Sequence, residues 1–268
     1  MTEGTPRTDP RRDNAGPNAE QDTAGGDVGA GSAPAKWSDL DVAGLWSGRD
    51  WANVSWVVVD VEGNGQRPPD LVEAACLPID GGVPGRVQSW LVRPPRPITG
   101  PVRRIHGIRN ADVATAPTTA EVAEQILGQL AGRVVVGHHV HVDLAVLGRE
   151  LRGWSAPAVL DTLRLAKAVW PGRPSYSLDN LPSPTPHRQL LAPSTTETAS
   201  ARTDLPPTRH GRHRAGYDVA LTAGLFLALA QTAAQTGSDR SASTTGGTLS
   251  AARLLSLAGA LPASLLSE

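Results

Sequence analysis

The chain has 268 residues, a formal net charge of −1 and one cysteine, Cys76. A single cysteine excludes an internal disulfide framework and a cysteine-based zinc site, and it suits a reducing cytoplasm. The near-neutral charge balance supplies no overall basic field for a polyanion, so any phosphate contacts must come from local patches.

No apolar run reaches the roughly 18 residues of a membrane span, and the N-terminus lacks the apolar core of a signal peptide. These features predict a soluble cytoplasmic protein without membrane attachment. Phe226 is the only phenylalanine, so Ala, Val and Leu must fill the core.

In chain order, residues 1–36 are rich in Gly, Pro, Asp and Thr and nearly free of apolar side chains. Such a segment cannot bury enough surface to offset its ordering entropy and is predicted to be disordered. The folded domain is expected over 37–236, with its first strand in the β-branched run 54–61. Two further strands, 71–79 and 86–92, follow through short turns and should pair antiparallel. Residues 118–130 carry apolar side chains at helical spacing behind a Thr-rich start, with Glu121 where a capping carboxylate belongs. A short strand at 133–136, a helix at 141–151, a strand at 159–160 and a helix running to about 169 alternate after it. The Ala/Leu-rich stretch 215–236 predicts one long helix. Antiparallel strands followed by alternating strands and helices predict an α/β fold, a mixed five-stranded sheet flanked by helices. Between them, 182–209 is dense in Pro, Ser and Thr and is expected as a mobile insertion. Residues 237–268 read as a linker and C-terminal tail with at most one marginal helix.

Four short stretches carry chemistry. Asp60 and Glu62 stand two apart at the end of the first strand, so both side chains leave one face. Carboxylates that close repel, and without a cation one must take up a proton. Hard oxygen donors favour Mg²⁺ or Mn²⁺. Asp143 lies at the start of the helix after GHHVHV, and His213 precedes Asp218 by five residues at the opening of the last helix. A histidine on a loop can take a proton from water near neutral pH. Each residue also has an ordinary reading: strand-end carboxylates facing solvent, a helix-capping Asp143, a solvated His213 between Arg212 and Arg214. Their joint order and contexts fit one device, a two-metal phosphodiester hydrolase. His138, His139 and His141 are not read as a zinc site, because they have no Cys partner and point in different directions on a turn. Arg93, Arg96, Arg103 and Arg104 could follow a phosphate backbone, and a solvated surface accounts for them equally well.

This set resembles the DEDDh 3′–5′ exonucleases. The first motif, Asp-x-Glu at a strand end, matches Asp60 and Glu62. The second, Gly-His followed by an Asp at a helix start, matches Gly137, His138 and Asp143. The third, His-x-x-x-x-Asp, matches His213 and Asp218. Lesser signatures fall between them in order: RIHGI at 104–108, Ala116-Pro117, LDTLRLA at 160–166 and YSLDNL at 176–181. The resemblance implies a ribonuclease-H-like fold and two divalent cations. Asp60 would bridge them, Glu62 and Asp218 would hold the ion that activates water, and Asp143 would support the other. His213 would be the general base, with nucleoside 5′-monophosphates as products. Substrate contacts would come from Gly63, Asn64, Gly65, His106 and His138, although a structural role accounts for His106 equally well and a local hydrogen bond is the plainer reading of His138. The expected substrate is the 3′ end of single-stranded DNA, with a DNA polymerase subunit as partner. An exoribonuclease of the same family, or a catalytically weak nucleic-acid-binding module, are the alternatives. The chain departs from the family pattern at Asn64, where Thr is common, and at His139 and Val142, where Asn and an aromatic are common. Neither departure removes a metal ligand.

Overall fold

The computed structural model describes residues 48–182, 213–238 and 249–259. The expected tail at 1–36 and the insertion at 182–209, apart from Pro182, lie outside the described residues. So does the 237–268 segment apart from 237–238 and 249–259.

Strand β1 (Trp56–Gly63) is the spine of the sheet. It pairs antiparallel with β2 (Leu71–Asp80) and parallel with β5 (Val134–Gly137). β5 in turn pairs parallel with β6 (Val159–Asp161). On its other side β2 carries β3 (Val83–Pro84) and β4 (Gln88–Leu91), both antiparallel. The mixed sheet expected from sequence is therefore present, with one addition. β3 forms inside the turn after β2, where Gly81 and Gly82 adopt φ of 62° and 72°.

The helices are α1 (Gly100–His106), α2 (Thr119–Leu130), α3 (His141–Glu150), α4 (Thr162–Val169), α5 (Ala215–Ser238) and α6 (Ala251–Leu257). α1 was not expected. It is seven residues long, begins Gly-Pro and has no apolar periodicity to announce it. α2 starts as its sequence suggests, with the Glu121 carboxylate accepting the Thr118 backbone N–H at 2.7 Å and its hydroxyl at 2.8 Å.

Side-chain alternation along β1 divides the core into two layers. Trp56 and Val58 face α4, α5 and α6, together with Ala75, Leu77, Val134 and Leu160. Val57 and Val59 face α2 and α3, together with Cys76 and Val135. In the first layer Phe226 of α5 fills the space under Trp56 and Trp51, at ring separations of 5.0 and 5.9 Å. Its lone aromatic ring is fully buried, and truncating such a side chain costs about 3–5 kcal/mol.

α5 corrects one expectation. Over Ala215–Thr236 it is long and apolar enough to cross a membrane by length and composition, with a mean hydropathy of 1.3. Two thirds of that window is buried inside the protein, against the sheet and α4, so its apolar character is that of a core helix. α6 is short and is held by docking: Ala251, Leu254 and Leu255 are buried. The Ser250 hydroxyl caps the Arg253 N–H, and Arg164 donates to the Gly259 carbonyl at 2.8 Å.

Candidate active site

Residues 60 and 62 of β1 share the face of Trp56 and Val58, the face that α5 covers. Asp218 lies in the first turn of α5. The two elements bring Asp60, Glu62 and Asp218 together so that ligand oxygens from all three lie within 4.8 Å of one another. Among the described residues no other group of three or more His, Cys, Asp or Glu side chains meets so closely. Asp143, in the first turn of α3, reaches the same strand end from the other layer, and its Oδ1 accepts the Val61 N–H at 2.9 Å. A bulge between Glu62 and Gly63 then ends the regular register.

The electrostatics show what these carboxylates lack. Burial, then Asp143, Glu62 and Asp218, raise the Asp60 pKa well above the usual range. Burial, then Glu73 and the site's other carboxylates, push Glu62 up to about 9. Burial pushes Asp143 up to about 7, against the opposing pull of its hydrogen bond from Val61. Like charges in a partly desolvated cleft favour protonation unless a cation intervenes. The donors are all hard oxygens, and together with these raised pKa values they fit a divalent cation such as Mg²⁺ or Mn²⁺.

His213 is exposed on the turn that enters α5, with φ of 57°. Its backbone N–H donates to Asp218 Oδ2 at 3.1 Å, so the histidine and the carboxylate are tied together. All five residues expected from the motifs therefore gather at one end of β1.

The expected substrate contacts fare differently. Asn64 is completely buried, and its side chain is fully engaged inside the protein. Its Nδ2 donates to Asp70 Oδ2 at 2.6 Å and to the Arg96 carbonyl, while its Oδ1 accepts the N–H groups of Gln66 and Asp70. Its backbone is paired too, with Asp70 and Thr99. Asn64 thus organises the turn after β1 and has nothing left to offer a ligand. Gly65, with φ of 77°, is pressed against Thr99 and Val102, where a Cβ would come within 2.3 Å of Thr99 Oγ1. His106 is 2% exposed, and its Nδ1 accepts the Ile108 N–H at 3.0 Å. Burial lowers its pKa, against the pull of the Gly63 backbone, so the ring is neutral and part of the wall behind the site. Gly63 keeps partial exposure beside the carboxylates. His138 Nδ1 lies 2.9 Å from Thr162 Oγ1, whose proton goes to the Gly137 carbonyl at 3.2 Å. The Thr hydroxyl has one proton, so His138 is the donor in that pair.

Sequence reasoning missed a pair behind the site. Glu73, 1% exposed on β2, stands directly opposite Glu62 in the register and is forked by Arg214. A signal was available: Glu73 is the only charge inside the apolar run LVEAACL, and a charge buried there needs a partner.

Comparison with known proteins agrees with this geometry. Residues 57–226, more than half of the chain, match the exonuclease (RNase T) family. A DNA polymerase III subunit epsilon-like protein of Rhodobacter capsulatus is 34% identical over 63% of this chain, which spans only 26% of that protein. The DNA polymerase III subunit epsilon of Aquifex aeolicus is 28% identical over 65% of this chain and 79% of its own length. Escherichia coli exonuclease I, solved with a dT13 oligonucleotide, shares the fold with a TM-score of 0.50. It is 16% identical, over 69% of this chain and 42% of that one. Matched over most of its described core and carrying the acidic residues and histidine of its motifs at one strand end, the chain belongs to the RNase T exonuclease family, as one of its DEDDh members.

Proposed function

We propose that this chain removes nucleotides one at a time from the 3′ end of single-stranded DNA and releases nucleoside 5′-monophosphates. The observation that carries the reading is the meeting of Asp60, Glu62 and Asp218 oxygens within 4.8 Å in a chain of exonuclease ancestry. Asp60, Glu62 and Asp218 are the residues that would hold one Mg²⁺ or Mn²⁺ ion, and Asp60 with Asp143 a second. Bound there, such ions supply charge stabilisation at the phosphoryl oxygens and ease deprotonation of the attacking water. His213 accepts that proton on an imidazole nitrogen, a role suited to an exposed histidine ring beside the carboxylates. The hydrogen bond from its backbone N–H to Asp218 holds residue 213 next to the carboxylates. Gly63, partly exposed beside Glu62, would meet the terminal nucleotide through its backbone.

DNA as the polymer and a DNA polymerase subunit as the partner rest on the two epsilon relatives, and the chain spans only about a quarter of the first. The test uses 5′-end-labelled single-stranded DNA and RNA oligonucleotides with Mg²⁺, Mn²⁺ or a chelator. Stepwise shortening of DNA with metal, and none with chelator, is expected. Shortening of RNA alone moves the assignment to an exoribonuclease, and tight binding without shortening in either metal overturns the enzymatic reading.

A further inference from the structure

Arg214 stands between the exposed His213 and Ala215, the first residue of α5. Its guanidinium grips Glu73 with two parallel bonds, Nε to Oε2 at 2.9 Å and Nη2 to Oε1 at 2.7 Å. Glu73 Oε2 also accepts the Ala215 N–H at 3.1 Å. One carboxylate on the central strand β2 therefore anchors both the side chain of Arg214 and the opening amide of α5. Both charged groups are nearly out of water, with Glu73 1% and Arg214 9% exposed.

Such a pair is poor evidence for stability, because desolvating two ions offsets most of their attraction. Its position suggests another use. Glu73 is the cross-strand neighbour of Glu62, so the two side chains share a face. The fork thereby locks the α5 entry to the strand pair that carries Asp60 and Glu62. His213 itself holds a left-handed backbone, a conformation that persists in a non-glycine residue only when its surroundings enforce it. The enforcement comes from two sides: Asp218 holds the His213 amide, and the Arg214 fork fixes the next residue.

We propose that the Glu73–Arg214 pair is a positioning element, which sets His213 and Asp218 against the β1 carboxylates without touching substrate. The proposal deepens the exonuclease reading and rests on it. A bidentate fork also explains why Arg serves here: a Lys point charge keeps the attraction but not the orientation. The pair further keeps a fifth carboxylate, Glu73, from facing Glu62 unneutralised.

The experiment compares wild type with Arg214→Lys, Arg214→Ala and the double variant Glu73→Leu with Arg214→Met, in a single-stranded DNA trimming assay with Mg²⁺. The double variant removes both charges at similar volume and avoids leaving one of them buried alone. Expected is a fall in kcat of roughly 10²-fold, the scale of a catalytic group displaced by about 1 Å. KM should change less than about threefold, since neither residue meets substrate. Arg214→Lys should also lose kcat, although it keeps the charge. Millimolar guanidinium should restore part of the activity of Arg214→Ala and none of that of the double variant. A double variant or Arg214→Lys protein with kcat within about threefold of an active wild type overturns the proposal alone. A KM rise that accounts for the whole loss also overturns it, because the pair would then serve binding. A wild-type chain inert on every polymer overturns the exonuclease reading, and the proposal with it.

Discussion

The carboxylate of Asp143 accepts the backbone N–H of Val61, the residue between the two β1 carboxylates, at 2.9 Å across 82 positions of sequence. One side chain therefore does two things: it ties α3 to the end of β1, and it adds negative charge beside Asp60. The two roles can be separated. Asn at position 143 keeps an acceptor oxygen but removes the charge, whereas Ala removes both. Asp143→Asn should keep the wild-type Tm or exceed it in chelator and lose activity. Asp143→Ala should lose activity and also about 1 kcal/mol, the scale of losing the acceptor of a partly buried donor. Thermal melts of both variants check this; equal Tm values would show that the Val61 bond contributes nothing.

Among the described residues Asp60 is surrounded by like charge, and no cationic partner of it is found there. Asp60→Asn should therefore abolish hydrolysis, by on the order of 10³-fold or more, as when one member of a catalytic unit is removed. It should not destabilise the metal-free fold, since it relieves repulsion and opens no cavity. Substantial residual activity, read from nucleotide release, would remove Asp60 from the mechanism.

His213 is exposed and, among the described residues, is tied to the fold through its backbone N–H. His213→Gln should leave the Tm and Mn²⁺ binding near wild type and lower kcat by roughly 10²–10⁴-fold, the usual contribution of a general base. Parallel melting, calorimetric metal titration and turnover measurements check this. A variant that loses Mn²⁺ binding along with turnover would make His213 a ligand instead of a base.

The residues legible in the sequence were those whose chemistry repeats along the chain. Asp60 and Glu62 ended a β-branched run, Asp143 and His213–Asp218 opened helices, and period-2 alternation gave β1 its two faces. Residues whose roles depend on distant partners were not legible. Asn64 looked like a substrate contact because it follows Glu62 in sequence. Its partners Asp70, Gln66 and Arg96 come together only when the turn after β1 closes on the segment before α1. For His106 the sequence leaves a groove position and a structural role equally open, and its burial follows from α1, a helix too short and too rich in Arg to show a period. Arg214 looked like one more basic loop residue until the register put Glu73 beneath it.

Asn64 makes a clean stability test for the same reason. Asn64→Ala leaves the Asp70 amide and Gln66 amide without their acceptor and frees one side of the Asp70 carboxylate, which Arg96 still holds at 2.7 Å. A loss of about 2–4 kcal/mol is expected from the unmet buried groups, or roughly 4–16 °C in Tm for a domain of this size. A Tm within 2 °C of wild type, by the same scale, would mean that water replaces the amide and that Asn64 is not a structural residue.

The raised carboxylate pKa values set a pH dependence whose sign is fixed. In the folded metal-free chain burial and the neighbouring carboxylates push Glu62 up to about 9, and burial pushes Asp143 up to about 7, from ordinary values of 4.5 and 3.8. Between about pH 4 and 9 the folded state therefore binds more protons than the unfolded state. Stability must then fall as pH rises through that window, because each proton released from the cleft leaves an unneutralised charge behind. Divalent cations take the place of those protons, and they bind the ionised form, so their stabilisation should grow with pH. In chelator the Tm should drop between pH 5.5 and 8.5, by roughly 2–4 °C for each kcal/mol lost. With Mn²⁺ or Mg²⁺ the drop should shrink or vanish, and the gap between the two curves should widen toward pH 8.5. Melting curves across that range check both statements. A metal-free Tm that stays level or climbs with pH would show that the acidic cleft is already neutralised by the protein itself, and the need for a cation would disappear.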